Sequence, residues 1–370
     1  HWEERLIGIK GARGVGKTTL ILQYIKKYLS KQAKGLYVSL DDIYFYGHSL
    51  VEFVDNFVKK GGTHLFLDEV HRYKNWAIEL KNIYDDHPNL KVVFTGSSML
   101  HLAKARGDLS RRAKIYTLHG LSYREYLNFI TGKNFKKLAF RDILKNHVEY
   151  SNEVLNQIRP LQYFEEYLKS GIYPFFIEYP KTYQERLASA IDVMLEIDLP
   201  AFTNITPQSI TSIKKLLYVI ANSVPFKPNI QKISEKTGIY RNTLITYLGM
   251  LRDAGITNHL FSSKRGVGHL QKPEKIYLNN TNLIYALAEV LPEKGSIRET
   301  FFMHQLSNDN SLTYTQKGDF FINGKYTFEV GGKYKTRKQI IGISDAFLAA
   351  DDIEIGYEYK IPLWLFGFIY

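Results

Sequence analysis

The chain has 370 residues, 45% of them apolar and 23% charged, and this length predicts two or three domains. No apolar run approaches the roughly 18 residues of a membrane-crossing helix, which argues against a membrane partner, and the lack of cysteine excludes disulfides, thiolate zinc sites and cysteine nucleophiles and favours a cytoplasmic protein. The net charge is +12, and residues 206–275 alone hold 11 Lys/Arg against 3 Asp/Glu, which favours an acidic partner such as DNA or RNA.

The first predicted elements are a short buried strand in RLIGIK, a glycine-rich turn, and a helix in TTLILQYIKKYL. The turn fits the pattern G-x-x-x-x-G-K-[ST], whose backbone N–H groups face the phosphates of a nucleotide at the positive end of the helix. We expect Lys17 to bridge the β- and γ-phosphates, Thr18 to bind Mg²⁺ and Thr19 to bond the α-phosphate. The predicted cofactors are ATP or ADP and Mg²⁺. The predicted binding residues are Gly11, Ala12, Arg13, Gly14, Val15, Gly16, Lys17, Thr18 and Thr19.

Two later strands are predicted to end in polar residues. THLFLDEV is an apolar strand that closes on two acids, so we expect Asp68 at its tip to face the metal ion and Glu69 to polarise the attacking water. LKVVFTGSSM ends in Thr95, Ser97 and Ser98, whose hydroxyl groups we expect to hold the water or the γ-phosphate.

The next stretch, GDLSRRAKIYTL, brings two adjacent arginines, Arg111 and Arg112. We expect one of them to reach a γ-phosphate as an arginine finger, either in its own site or in that of a neighbouring subunit. Both options stay open at this point, and a homo-oligomer with them. The predicted catalytic residues are Lys17, Glu69, Thr95, Arg111 and Arg112.

In order and spacing, the motifs GARGVGKTTL, LFLDEVHRYKNW, VFTGSSM, LSRRAKIYTLHGLSYREYL and SGIYPFF resemble those of bacterial and archaeal AAA+-type ATPases. The long C-terminal region of these proteins is a domain of unknown function. The resemblance implies a P-loop sheet in which one further strand separates the acidic strand from the loop strand. It maps nucleotide roles onto Lys17, Thr18, Asp68, Glu69 and Arg112.

Residues 119–205 are predicted to be mostly helical and to form a lid beside the nucleotide site. The stretches YREYLNFI, LQYFEEYLKS and RLASAIDVMLEIDL carry apolar residues at three- and four-residue spacing.

Residues 206–278 are predicted to form a basic winged helix. A short helix, a turn through Gly238, a second helix over about 241–252 and a strand follow one another, and a hairpin-like arm comes next. In the DNA-binding interpretation, the second helix begins with base-reading residues and the arm reaches phosphates. The alternative is a module that packs or binds a protein. The nucleic-acid candidates are Arg241, Asn242, Thr243, Lys264 and Arg265, with His269, Lys272 and Lys275 further along the arm.

Residues 279–370 are predicted to be an α/β domain of the restriction-endonuclease type. Asp319 and Glu329 are the expected metal ligands, with Glu299 on the preceding helix. The lysine expected two residues after Glu329 is replaced by Gly331, which leaves Lys333 on the same face of the strand but about 7 Å further along. A nuclease-like fold that has lost its chemistry is therefore favoured over an active nuclease.

The predicted fold class is α/β: a parallel P-loop sheet (1–118), a helical lid (119–205), a winged helix (206–278) and a nuclease-like domain (279–370). The predicted function is an ATP-hydrolysing switch that acts with nucleic acid. The alternatives are an ATP-regulated, metal-dependent nuclease and an ATP-dependent signalling or assembly scaffold without nucleic acid.

Overall fold

A computed structural model describes residues 2–29, 33–98, 109, 111–203, 205–262, 272–290 and 293–370. The described residues have a mixed α/β fold and pack as two compact units. The first unit comprises 1–120, 190–210 and 253–255, and the second comprises 121–189, 211–252 and 256–370.

The first unit is built on a parallel sheet. Its described strands are β1 (Leu6–Gly11), β2 (Gly35–Ser39), β3 (His64–Asp68), β4 (Lys91–Ser97) and β5 (Lys114–Thr117). Their order is β2-β3-β4-β1-β5, and all pairings are parallel. The expectation that one strand separates the acidic strand from the loop strand is confirmed, because β4 lies between β1 and β3. Residues that follow β1, β3 and β4 therefore meet at one edge of the sheet.

Helices cover this sheet on both faces, which explains why its strands read as continuous apolar runs. The helices are α1 (Lys17–Tyr28), α2 (Leu50–Lys59) and α3 (Trp76–Asp86). Leu65 and Leu67 belong to the core that α2 and α3 close, whereas Phe66 belongs to the core beside Ile21 of α1. Each such side chain contributes about 1.5–3 kcal/mol by burial.

The region predicted as a lid is helical, as expected. Its helices are α4 (Tyr123–Thr131), α5 (Phe140–Leu155), α6 (Leu161–Ser170), α7 (Tyr183–Val193) and α8 (Leu199–Phe202), and a π-helical turn (Met194–Asp198) joins the last two. Ser122 starts α4 with a capping box, in which its hydroxyl and the Glu125 carboxylate satisfy each other's backbone N–H. Residues 190–205 pack with the first unit and 121–189 with the second. The four-domain division stays a prediction.

The described residues of the basic region form three helices and a strand pair. The elements are α9 (Pro207–Ala221), α10 (Ile230–Thr237), α11 (Arg241–Asp253), β6 (Thr257–Leu260) and β7 (Lys275–Leu278). The turn at Gly238 is left-handed, with φ 69°, and α11 begins at the predicted residue and ends one residue beyond the predicted end. β6 and β7 pair in the antiparallel sense.

The C-terminal part of the second unit carries a mixed sheet. The elements are α12 (Thr281–Leu287), α13 (Lys294–Leu306), β8 (Leu312–Thr313), β9 (Phe320–Ile322), β10 (Tyr326–Gly331), β11 (Ala346–Ala350) and β12 (Lys360–Pro362). The strands lie in the order β12-β11-β10-β9-β8. β8, β9 and β10 pair antiparallel, whereas β10, β11 and β12 pair parallel. Phe302 of α13 packs on Phe320 and Phe328 of the sheet.

Candidate functional site

The glycine-rich loop joins β1 to α1 at the carboxyl edge of the first sheet. Gly14 and Gly16 have φ values of 85° and 96°, a left-handed backbone that glycine adopts without strain. At Gly11 a Cβ atom would lie 2.4 Å from the carbonyl oxygen of Leu118, so the loop begins where only glycine fits. Val15 of the loop is buried, whereas Arg13 and Gly14 of the loop and Thr19 of α1 are exposed.

Lys17 is the first residue of α1 and is buried. Its Nζ donates hydrogen bonds to the carbonyl oxygens of Gly11 and Ala12, both at 3.1 Å. Burial lowers the pKa of the Lys17 ammonium, although the carboxylates of Glu69 and Asp68 oppose the shift. The loop thus folds around a buried lysine whose charge Glu69 and Asp68 favour.

Asp68, at the end of β3, accepts hydrogen bonds from hydroxyl groups on three other elements, α1, β2 and β4. The Thr18 Oγ1 donates to its Oδ2 at 2.6 Å, and the Tyr37 hydroxyl donates to the same oxygen at 2.8 Å. The Thr95 hydroxyl donates to the other oxygen, Oδ1. Burial and the hydrogen bond to Asp68 raise the pKa of Tyr37. The structure therefore brings the predicted residues Thr18, Asp68 and Thr95 into contact and adds Tyr37, which the sequence interpretation did not name.

Glu69 follows in an unusual backbone conformation. Its φ is 53°, in the left-handed region, where a non-glycine residue is strained by about 1–3 kcal/mol. Its N–H donates to the Thr95 Oγ1 at 3.0 Å and to the Asp68 Oδ1 at 3.2 Å, and these bonds stabilise the strained turn. Thr95, at the carboxyl end of β4, therefore fixes both acidic residues.

Four residues that the sequence interpretation did not name lie around Glu69 and His71. The side chain of His71 is buried, and its Nε2 lies 3.4 Å from the Glu69 Oε2 and 3.6 Å from the Asp198 Oδ1. A guanidinium nitrogen of Arg72 lies 3.0 Å from the same oxygen of Asp198. The His71 ring also stacks on Phe202, with ring centroids 5.8 Å apart. Residues 190–210 thus supply a carboxylate and an aromatic ring to the surroundings of the acidic strand.

Neither predicted arginine reaches the loop of its own chain. Arg112 makes a two-point contact with Asp85 in the last turn of α3, at 2.8 Å and 2.9 Å, and Arg111 is exposed. β5 begins beside Ile7, about 13 Å along β1 from its end at the loop. Both arginines precede β5, and so they lie near the amino ends of the strands, whereas the loop lies at the carboxyl ends. The option of an arginine finger in its own site is therefore wrong. A role in a neighbouring subunit stays a prediction.

The predicted nucleic-acid residues lie in different surroundings. Arg241 and Asn242 are exposed at the start of α11, next to Tyr240, which is 84% exposed, and Thr243 is half-buried. Lys272 is exposed as well. Lys264, Arg265 and His269 lie outside the described residues.

Lys275, the last predicted lysine of the arm, does not face outward. It is buried in β7, and its Nζ lies 3.3 Å from the Glu299 Oε2 and 3.3 Å from the Asp319 Oδ1. Burial opposes its charge, but these two carboxylates raise the pKa of Lys275. The expectation that Lys275 reaches phosphates is wrong, because internal acids already bind its ammonium group.

Of the other predicted nuclease-like residues, Glu329 and Lys333 have different partners. Glu329 lies on β10, and its partner is Lys335, whose Nζ is 2.5 Å from the Glu329 Oε1. The Lys335 side chain crosses over Gly331, where a Cβ would lie 2.6 Å from it. The ammonium of Lys333 instead lies over the ring of Tyr334. The lysine that contacts Glu329 is therefore Lys335 and not Lys333. In the described part of the chain, no group of three or more His, Asp or Glu side chains is arranged to hold a metal ion.

Two segments of the chain match models of protein families. Residues 3–127 match the family model of the AAA domain. Over these residues the chain is similar to AAA domains. Residues 161–294 match a model described as a domain of unknown function. The second match includes α9 to β7 but gives them no activity.

Comparisons with individual proteins extend over more of the chain. An uncharacterized protein of Methanocaldococcus jannaschii is 25% identical over 391 aligned positions, which cover 97% of this chain and 82% of that protein. The Aeropyrum pernix ORC1 protein, solved in complex with DNA, is 14% identical with a TM-score of 0.32, over 76% of this chain and 85% of that one. AMPPCP-bound DnaA from Aquifex aeolicus is 14% identical with a TM-score of 0.26, over 67% and 81%. At these scores, neither structural likeness bears on function.

Among the described helices, none combines the length and the apolar character needed to cross a membrane.

Proposed function

We propose that the chain binds ATP with Mg²⁺, hydrolyses the ATP, and uses its nucleotide state to control contact with nucleic acid through residues 206–278. One observation carries the first part of the proposal. Thr18 of the loop donates to Asp68 of β3 at 2.6 Å, so the two predicted magnesium ligands are already in contact at the edge where Lys17 and Glu69 also lie. The AAA domain match over 3–127 supports the same conclusion.

The residues fit this ligand chemically. The left-handed glycines open the loop toward the start of α1, whose N–H groups and dipole favour phosphate. Lys17 is buried and bonds only to carbonyl oxygens within the described loop, so its charge is available to the phosphates. Thr18 and Asp68 would hold Mg²⁺, which neutralises charge on the β- and γ-phosphates when it is bound. Glu69 would orient and polarise the attacking water.

Exposed residues at the start of α11 support the nucleic-acid part. Tyr240, Arg241 and Asn242 combine an exposed ring, a cation and an amide within three consecutive positions. Such groups bind phosphates and base edges. Lys227 and Lys272 are further exposed cations of the same region. Nuclease activity is not part of the proposal, because the ammonium of Lys275 already balances the carboxylates of Glu299 and Asp319.

The test is steady-state ATP hydrolysis, measured with and without duplex and single-stranded DNA. We expect hydrolysis by the wild-type protein, none by Lys17→Ala, and ATP binding with at least about 100-fold slower turnover by Glu69→Gln. Stimulation by DNA supports the switch. Hydrolysis that is indifferent to DNA favours the scaffold alternative, and a Glu69→Gln variant as fast as wild type contradicts the proposed site.

A further inference from the structure

We infer that Asp198 and His71 position the carboxylate of Glu69, so that the segment 194–202, which carries Asp198 and Phe202, sets the rate of hydrolysis. The inference rests on the proposed ATPase function and assigns to it two residues beyond the predicted motifs. It makes His71 and Asp198 positioning residues, since they act through Glu69.

The side chain of Glu69 is partly exposed, whereas its backbone is fixed. Its side chain is 28% exposed, and among the described ion pairs its partner within 4 Å is the imidazole of His71. The backbone of Glu69 is held by Thr95 and Asp68, as described above. The remaining freedom therefore lies in its side-chain torsions, and His71 is the group placed to restrict them.

His71 is buried beside two carboxylates. Its side chain is 1% exposed, and in the described part of the chain neither ring nitrogen has a hydrogen-bond partner. The Nε2 instead faces two carboxylate oxygens at 3.4 Å and 3.6 Å, those of Glu69 and Asp198. A buried polar group without a hydrogen bond is costly, so the ring gains from any small movement that brings either oxygen closer. His71 is thus shared between the two acids.

Arg72 biases this sharing toward Glu69. Its guanidinium lies 3.0 Å from the Asp198 Oδ1 and supplies that carboxylate with a full positive charge. With Asp198 balanced by Arg72, the imidazole of His71 is left to attract Glu69. Arg72 and His71 are adjacent in the 3-10 turn after Glu69, so a displacement of Asp198 acts on both.

The position of Asp198 depends on the segment that carries it. The residue ends the π-helical turn Met194–Asp198, and Phe202, one turn later, stacks on the His71 ring. Two contacts therefore connect this segment to His71, one charged and one aromatic. A shift of the segment by about 1 Å would move the imidazole and, through it, the carboxylate that polarises the water, and misplacements of this size cost up to about 100-fold in rate.

The test compares kcat and KM for ATP in four variants of the full chain. We expect His71→Leu to lower kcat about 10- to 100-fold with KM changed less than about threefold, because a positioning residue acts on turnover and not on binding. His71→Gln, which keeps a hydrogen-bonding group, is expected to recover kcat to within about fivefold of wild type. Asp198→Asn is expected to lower kcat about 3- to 10-fold. The matched control is His87→Leu, which removes a half-buried histidine paired with Asp55 and is expected to leave kcat unchanged.

A double variant separates positioning from a general structural effect. If Asp198 acts through Glu69, then Asp198→Asn lowers the residual rate of Glu69→Gln by less than about twofold, because residues that act as a unit are not additive. An equal fall in both backgrounds overturns the inference. Should His71→Leu fail to fold, Asp198→Asn and His71→Gln provide the test. A lower kcat in Asp198→Asn supports the inference, and wild-type kcat in both variants overturns it.

The failure of this inference is distinguishable from the failure of the proposed function. A wild-type chain without ATPase activity, or a Glu69→Gln variant as active as wild type, contradicts the proposed function itself. An active wild type, a slow Glu69→Gln and a His71→Leu variant with wild-type kcat contradict only the role of His71 and Asp198.

Discussion

At the scale of single residues, Thr95 connects the two acids of the candidate site. It is fully buried at the carboxyl end of β4, donates to Asp68 and accepts the backbone N–H of Glu69 at 3.0 Å. The left-handed conformation of Glu69 persists only while its surroundings stabilise it. One hydroxyl group therefore maintains both a carboxylate orientation and a strained turn.

Replacing Thr95 with Ala is expected to lower kcat for ATP about 10- to 100-fold, because both hydrogen bonds are lost and the Glu69 turn is released. Nucleotide affinity should change much less, since Lys17 and the loop are untouched. The measurement is steady-state hydrolysis beside binding of a fluorescent ATP analogue. Thr95→Ser is the matched control, because it keeps the hydroxyl, and it should stay within about threefold of wild type. Equal losses in Ala and Ser would refute the hydrogen-bonding role.

At the scale of elements, ion pairs of a buried lysine connect β7 to α13 and to the residue that precedes β9. Lys275 contacts both Glu299 of α13 and Asp319 before β9, and the hydroxyl of Tyr277 donates to the Glu299 Oε2 at 2.6 Å. Burial and the charge of Asp319 raise the pKa of Glu299, and the ammonium of Lys275 opposes this shift. The ammonium of Lys275 therefore balances the carboxylates of a nuclease-like arrangement from inside the fold.

Removing Lys275 while keeping both acids should destabilise the second unit. Lys275→Met removes the buried cation from two half-buried carboxylates, and the loss should approach the roughly 3–5 kcal/mol that breaking a fully buried ion pair costs. The measurement is the urea midpoint of the full chain, followed by a probe of the second unit. Lys275→Met combined with Glu299→Gln should recover part of the loss, because one of the stranded charges is then removed. A midpoint equal to wild type in Lys275→Met would show that these contacts add nothing to stability.

Local elements were predictable from the sequence because their signals are local. The loop, the strand ending at Asp68 and the helix from Arg241 each carry their pattern within about a dozen residues. Lys335 was not predictable, because it reaches Glu329 only by crossing Gly331 after a turn, and strand alternation alone pointed to Lys333. Asp198 was not predictable either, since nothing near it in the sequence indicates that the chain returns to the acidic strand.

At the scale of the whole molecule, the chain passes between its two units more than once. The first unit takes residues from 1–120, 190–210 and 253–255, so a division into consecutive domains could not anticipate where 190–205 packs. The charge is also uneven along the chain: residues 206–275 hold 11 Lys/Arg against 3 Asp/Glu. The most basic stretch is therefore separated in sequence from the loop that carries the nucleotide motif.

This uneven charge leads to a prediction about salt. If residues 206–278 bind nucleic acid, the logarithm of the binding constant should fall linearly with the logarithm of salt concentration, with a slope of about −0.9 for each phosphate contacted on duplex DNA. Arg241→Ala should weaken binding and reduce the magnitude of that slope by about one, because Arg241 is exposed at the start of α11.

The matched control is Arg141→Ala, which removes another exposed arginine from the first turn of a helix in the same unit, α5. Fluorescence anisotropy with a labelled duplex at several salt concentrations measures both quantities. Equal slopes for the two variants would place the phosphate contacts away from α11. A wild-type binding constant that does not change with salt would remove nucleic acid from the function altogether, because counterion release accompanies every contact between a cation and a DNA phosphate.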